Sequence, residues 1–234
     1  MEKFVALGKK KGSDSSDARI QRKKIKLESG DEQQQEEGDD EDEHSALAEF
    51  SHPVPWQKVE AEGLDCDYAQ LFSKEEADQL FKRLEEEVVY STGEEAKVQV
   101  FGKVYNIPRK QATYGDEGLT YTYSGVTRSA CSWTPTLEYI RDAVTKTTGQ
   151  TFNFVLVNRY KDAARDFIFR HRDARGKRGR RQIEPVKLEL AHGSLLLMNS
   201  PTNTFWYHSL PARKKIILPR INLTFRRILP DRKR

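Results

Sequence analysis

His171-Arg172-Asp173 sets an imidazole and a carboxylate at alternate positions of the run RDFIFRH, on the strand face that carries Phe167 and Phe169. An imidazole and carboxylate pair completed by a histidine from elsewhere is the ligand set of an open, non-haem iron site. A second string, PRINLTFRR, puts Arg220, Asn222, Thr224 and Arg226 on one side by period two, and Ile221, Leu223 and Phe225 on the other. If the apolar side is covered, the polar side lines either solvent or a barrel interior, and two arginines inside a barrel demand an anionic ligand. An ordinary sheet with one wet face carries the same pattern. In FNFVLVNRY the face made by Phe152, Phe154, Leu156, Asn158 and Tyr160 is apolar until its last two positions. That ending suits the mouth of a pocket, or a strand running out into water. His208, in WYHSLP, follows large aromatics, and a lone histidine there is more often a packing residue than a ligand.

These residues need a scaffold of strands. Order is expected from Val54-Pro55-Trp56 onward. Two helices are predicted. The first follows Ser73, with Ser73 and Glu76 as a capping box and Ala77, Leu80, Phe81, Leu84 and Val88 on one stripe. The second runs from Pro135 to Thr148, capped by Thr134 and stopped by Gly149. Most of the remainder reads as short β-branched or aromatic runs: VQVFG, KVYNI, LTYTYSG, FNFVLVNRY, RDFIFRH, PVKLEL, SLLLMN, FWYHSL and INLTFRRI. The pattern predicts an α+β protein built on a β-sandwich or jelly roll, spanning 54–234.

Composition divides the chain. Up to Glu49 there are 9 Lys and Arg against 14 Asp and Glu, which leaves 31 against 22 of the totals, 40 and 36, for the rest. The tail is therefore −5 and the folded part +9, a balance that fits a polyanionic partner. Residues 1–53 are expected to form a disordered charged tail, because its polar stretch cannot bury enough apolar area to offset ordering entropy. Within it, RKKIK is either a nuclear-import cluster or a solvated charge run. Lys3-Phe4-Val5-Ala6-Leu7 is either a docking peptide for a partner's groove or a stray apolar knot. Cys66 and Cys131 have no metal-like spacing, and one pair is too few for a disulfide scaffold, so a reducing compartment is expected. No stretch has the roughly 20 apolar residues of a membrane span, and no membrane association is expected.

Four segments together, PRKQATYGDEGLTYTYSG (108 to 125), FNFVLVNRYKD (152 to 162), HGSLLLMNSPTNTFWYHSLP (192 to 211) and RINLTFR (220 to 226), resemble the AlkB family of iron(II) and 2-oxoglutarate dependent DNA dioxygenases. The similarity runs from about Gly63 to Leu229 with one gap, and is strongest to the nuclear animal branch acting on alkylated double-stranded DNA. It implies a double-stranded β-helix (jelly roll) with flanking helices. It also implies oxidative demethylation of 1-methyladenine and 3-methylcytosine, in which 2-oxoglutarate is decarboxylated and formaldehyde is released. By that resemblance Arg220 pairs with the distal carboxylate of 2-oxoglutarate, and Asn158, Tyr160, Thr224 and Arg226 hold the cosubstrate and close its pocket. His208 becomes the third ligand of the iron.

Such a pocket takes a base flipped out of the duplex. Phe101, with Gly102 and Lys103 beside it, matches the family's finger that fills the vacated place; from the residues alone it is a hairpin-tip aromatic. Tyr121, Thr122 and Tyr123 match the lining of the base pocket, and Arg109 a contact to the strand. RGKRGRR (175 to 181) would track phosphates with little sequence preference. The N-terminal peptide resembles a docking peptide for the replication sliding clamp, except that Leu7 stands where that pattern wants a basic residue. A nuclear monomer is expected.

One segment departs from the family. His-x-Asp should follow the Asn-x-Tyr strand and precede the strand resembling RDFIFRH, yet only Lys161 to Ala164 separate Tyr160 from Arg165. The loop, the ligand pair and a strand have no counterpart, as either a skipped exon or a gene-model error would leave the chain. His171 and Asp173 match the strand end after that gap, so they are expected to be a decoy and not substitute ligands. A jelly roll short of a strand is expected to expose unpaired edges, and a single histidine should not retain iron. Two functions follow from different classes: a repair dioxygenase, or a DNA-binding form without turnover.

Overall fold

In a computed structural model of the chain, the described residues are 2–8, 53–100, 103–107, 109–123, 126–161, 166–174, 181–211 and 218–229. They all belong to one compact unit, residues 1–10 with 51–234. The charged stretch 9–52 with its RKKIK cluster, Phe101 and Gly102, and residues 175–180 of the basic segment lie outside them.

The strands in chain order are β1 (Glu2–Gly8), β2 (Gln57–Ala61), β3 (Leu64–Gln70), β4 (Lys97–Val100), β5 (Lys103–Asn106), β6 (Lys110–Gly115), β7 (Thr120–Tyr123), β8 (Val126–Ser129), β9 (Phe154–Tyr160), β10 (Asp166–His171), β11 (Val186–Glu189), β12 (Ser194–Met198), β13 (Trp206–Ser209) and β14 (Arg220–Arg226). A seven-stranded antiparallel sheet has the order β2-β3-β12-β1-β14-β9-β6, and a three-stranded sheet the order β11-β10-β13. The pairs β4-β5 and β7-β8 are separate hairpins.

Helix α1 (Lys74–Glu87) starts at the predicted box. Ser73 Oγ accepts from the Glu76 N–H at 3.1 Å, and the Glu76 carboxylate accepts from the Ser73 N–H at 2.8 Å. Helix α2 (Pro135–Thr148) carries proline in its first turn and ends at Gly149, whose φ of 67° supplies the left-handed cap. Glu87 ties the helices together by accepting from the N–H and hydroxyl of Thr136 at 3.2 and 2.5 Å.

Alternation sorts the large sheet into two faces. Val5, Leu7, Val155, Val157, Ile221, Leu223 and Phe225 are buried on the helix side, where Arg159 also makes a two-pronged bond to Glu85 of α1 at 2.6 and 2.8 Å. On the other side Ala6, Leu64, Cys66, Leu196 and Met198 form one core with Phe167, Phe169 and Trp206 of the small sheet. Helices, large sheet and small sheet thus make three layers, the arrangement of a jelly roll with flanking helices.

Three expectations change. The segment Glu2–Gly8, assigned to the tail, is an interior strand: β1 pairs with β12 from Glu2↔Met198 to Ala6↔Ser194, and with β14 from Lys3↔Phe225 to Gly8↔Arg220. Its residues Val5, Ala6 and Leu7 are 0 %, 2 % and 0 % exposed, which is why an apolar knot on a polar tail ends in the core. The unpaired edges foreseen for a shortened jelly roll are correspondingly absent at β12 and β14, since β1 lies between them. Phe152 leaves the face of Phe154 because the strand begins only at Phe154, and its ring packs on Phe225, 5.9 Å away on the helix side.

Candidate active site

The inner face of the large sheet is apolar over β3, β12 and β1 and polar over β14, β9 and β6. In register, Arg220 lies opposite Tyr160, Asn222 opposite Asn158, Thr224 opposite Leu156 and Arg226 opposite Phe154. Gln111 of β6 faces Asn158 from the other side. Arg220, Asn222, Thr224 and Asn158 are buried, at 4 %, 4 %, 3 % and 6 % exposure, and Gln111 at 5 %.

Buried polar groups persist where they bond to one another. Asn158 Oδ1 accepts from Arg109 Nε and from Gln111 Nε2, both at 2.7 Å. Arg220 Nε donates to Asn222 Oδ1 at 2.7 Å. The Arg109 guanidinium lies 5.9 Å from the centre of the Tyr160 ring. At the far end Tyr121 lies between Phe154, 5.3 Å from ring to ring, and the Arg226 guanidinium, 4.7 Å from its ring centre. The structure therefore brings Asn158, Tyr160, Arg220, Thr224, Arg226, Arg109 and Tyr121 onto one face. Arg109, expected to touch a nucleic acid strand, is half-buried and donates its Nε to the asparagine. Gln111 and Asn222 were not among the expected site residues, nor was Arg128, which is 5 % exposed and opposite Tyr121 in the β7-β8 hairpin.

Of the other expected residues, Thr122 and Lys103 are described with their side chains. Thr122 is exposed and bonds across its hairpin to Thr127 Oγ1 at 2.8 Å. Lys103 is exposed at the start of β5, next to Phe101 and Gly102 outside the described residues; the side chain of Tyr123 also lies outside them. Arg181, the described member of the basic segment, is bonded at both prongs to Glu62, at 2.8 and 2.6 Å.

His208 sits on β13 opposite Phe169, half-buried on the inward side, its ring stacked on Phe167 at 5.2 Å. His171 lies opposite Trp206. Its ring meets Trp206 edge-on at 5.0 Å and lies parallel to Phe205 at 6.2 Å, while its Nδ1 accepts from the Asp173 N–H at 3.1 Å. The two imidazoles thus lean apart along β10, and Asp173 is exposed. His192 is occupied at Nε2 by Asp78 Oδ1, 3.0 Å away. Burial pushes the Cys66 thiol up to about 11, and its Sγ lies 3.9 Å from Thr202 Oγ1.

Residues 163–226 match the model of the 2OG-Fe(II) oxygenase superfamily. The chain is 58% identical over 205 residues to the protein named DNA oxidative demethylase ALKBH2 of Mus musculus, covering 76% of this chain and 86% of that protein. Identity to the Homo sapiens protein of the same name is 56% over 205 residues, covering 76% and 78%. Identity to the Homo sapiens alpha-ketoglutarate-dependent dioxygenase alkB homolog 3 is 29% over 196 residues, covering 71% and 66%. The chain belongs to the AlkB family.

AlkB-family proteins are dioxygenases that use iron(II) and 2-oxoglutarate. The polar half of the inner face fits the second of these: a buried guanidinium, two amides and a threonine hydroxyl suit a dicarboxylate, and a planar arginine fork suits its distal end. The ligand set for iron does not fit in the same way. Among the described residues no group of three or more His, Cys, Asp or Glu is placed to hold a metal ion, and His208, the expected ligand, is half-buried against Phe167.

Proposed function

We propose that this chain serves DNA alkylation repair as an oxidative demethylase by descent, with duplex DNA carrying 1-methyladenine or 3-methylcytosine as its substrate. The observation that carries the reading is the buried Arg220-Asn222-Asn158 cluster, a dicarboxylate cradle inside a sheet whose other half is apolar. Arg220 would hold the distal carboxylate, Asn158 and Tyr160 would line the cradle, and Tyr121 with Arg226 would form the wall nearest the base. Bound 2-oxoglutarate supplies the reducing equivalents that its decarboxylation releases to dioxygen. The positive balance of residues 50–234 supports a nucleic acid partner, and RKKIK supports a nuclear location. A monomer in dilute solution is part of the same reading. Docking of Lys3 to Leu7 on the sliding clamp would have to compete with their place in the sheet.

A second reading, DNA binding without turnover, is favoured by the lack of a three-ligand group among the described residues. The alignment lengths also support a missing segment: 76% of 234 residues is about 178, set against 205 aligned positions in the mouse protein. Single-turnover release of formaldehyde from 1-methyladenine duplex, with iron(II) and 2-oxoglutarate, separates the readings. Release by the parent but not by His171→Ala would make His171 a ligand and the chain an enzyme. Release by both would make the chain an enzyme whose ligands lie elsewhere. No release by a folded parent that still binds the duplex would leave the second reading.

A further inference from the structure

β1 is held on both edges by strands from the far end of the chain. Five register pairs join it to β12 and six to β14, and the Gly193 N–H donates to the Ala6 carbonyl at 2.6 Å. In the sheet order only β12 and β3 stand between β1 and β2, so three strand spacings, roughly 15 Å, separate them. In sequence they are separated by residues 9–56. A connection of 48 residues can extend beyond about 100 Å, so its length does not require β1 to fill the slot of its own chain.

We propose that the slot between β12 and β14 is a strand-accepting site, and that two copies of this chain exchange Glu2–Gly8 reciprocally to form a strand-swapped dimer. The occupant is the same segment in either arrangement, so every register pair and every buried contact of Val5, Ala6 and Leu7 is kept. What differs is concentration. A tethered strand competes at an effective concentration on the order of millimolar, so the monomer dominates when dilute and exchange grows as chains are concentrated or refolded together. Exchange leaves the polar cluster intact, because β14 keeps a neighbour on each side.

The test uses Ala6 and Ser194, opposite each other in the register and 2 % and 1 % exposed. One full-length chain carries Ala6→Cys and a second, distinguishable by a tag, carries Ser194→Cys; a third carries both. The chains are refolded, oxidised and separated without reductant, with the unsubstituted chain and each single variant alone as controls for native Cys66 and Cys131. The double variant should close within one chain in dilute solution. The mixture should give an interchain disulfide that is nearly absent when dilute and rises several-fold toward millimolar concentration, with no such rise in the controls. Closure of the double variant with no interchain product at any concentration would confine the strand to its own chain and overturn the proposal. Failure of a folded double variant to close would show that Glu2–Gly8 is not the occupant, and the proposal would fall on that result too. Light scattering of the unsubstituted chain, refolded at both concentrations and then diluted, reads the outcome without any cysteine; a dimer should persist only from the concentrated sample, and its absence there would count against exchange.

Discussion

Asn158 accepts from Arg109 and Gln111 through one oxygen, which fixes its amide and turns the NH2 group away from them. Arg220 is likewise held by Asn222 through Nε, so its fork is oriented before any ligand arrives. Preorganisation of this kind makes Arg220→Lys a severe change even though the charge is kept. Replacing a fork by a point charge removes a charge-assisted bond contributing about 1.5–3 kcal/mol, so 2-oxoglutarate affinity should fall roughly 10- to 100-fold in calorimetric titration. Unchanged affinity would take Arg220 out of the cradle. Alternation made Arg220, Asn222, Thr224 and Arg226 legible as one polar side of PRINLTFRR, and put Asn158 and Tyr160 at the polar end of an otherwise apolar face of FNFVLVNRY; that the two strands line one pocket was implied by the resemblance. Gln111 was not legible, because β6 opens beside a proline and two cationic residues and carries no apolar alternation of its own. Arg128 was hidden for a related reason: a charged side chain in a short polar run gives no sign that it will be buried.

Among the elements, the two helices were readable to their caps because capping is local chemistry. β1, β2 and β3 were not read as strands, since their partners lie elsewhere in the chain and pairing rather than propensity makes them strands. The turn before β12 shows how tightly such pairing is fixed. Gly193 has φ of 80°, donates to Ala6, and accepts from the N–H groups of Leu71 and Phe72 at 3.0 Å each. A Cβ there would lie 2.8 Å from the Phe72 carbonyl oxygen and 3.0 Å from Ala77 Cβ. Gly118, at φ of 79°, has nothing within 4 Å of a Cβ and serves as the control. Gly118→Ala should cost about 1 kcal/mol of stability for its backbone alone, and Gly193→Ala about 1–3 kcal/mol more for the collision. Urea unfolding would read both; equal costs would mean that the turn can shift without loss.

For the molecule as a whole, the fold class and the charge asymmetry were legible from composition and patterning. The closing of the sheet by a segment assigned to the tail was not. A net positive body next to duplex DNA should bind with strong salt dependence, log affinity falling by about 0.9 per phosphate contacted for each decade of salt. Within RGKRGRR the members should differ. Arg181 already has Glu62 at both prongs, so Arg181→Ala should leave the slope nearly unchanged, whereas Lys177→Ala should lower it by about 1 if that lysine meets a phosphate. Fluorescence anisotropy across a salt series decides this, and equal slopes for the two variants would remove the segment from the interface.

β1 also sets an order of events during synthesis. In chain order it precedes every other described strand, yet its neighbours β12 and β14 come third from last and last among them. Until β14 has been made, the seven residues have no slot to enter, so the large sheet cannot be completed strand by strand as it is translated. Each nascent chain holds that strand unsheltered while the interval from Gly8 to Arg226 is made, at roughly 5–20 residues per second, on the order of ten seconds or more. On a polysome, where several such chains grow side by side, the first completed slot is offered to more than one waiting strand.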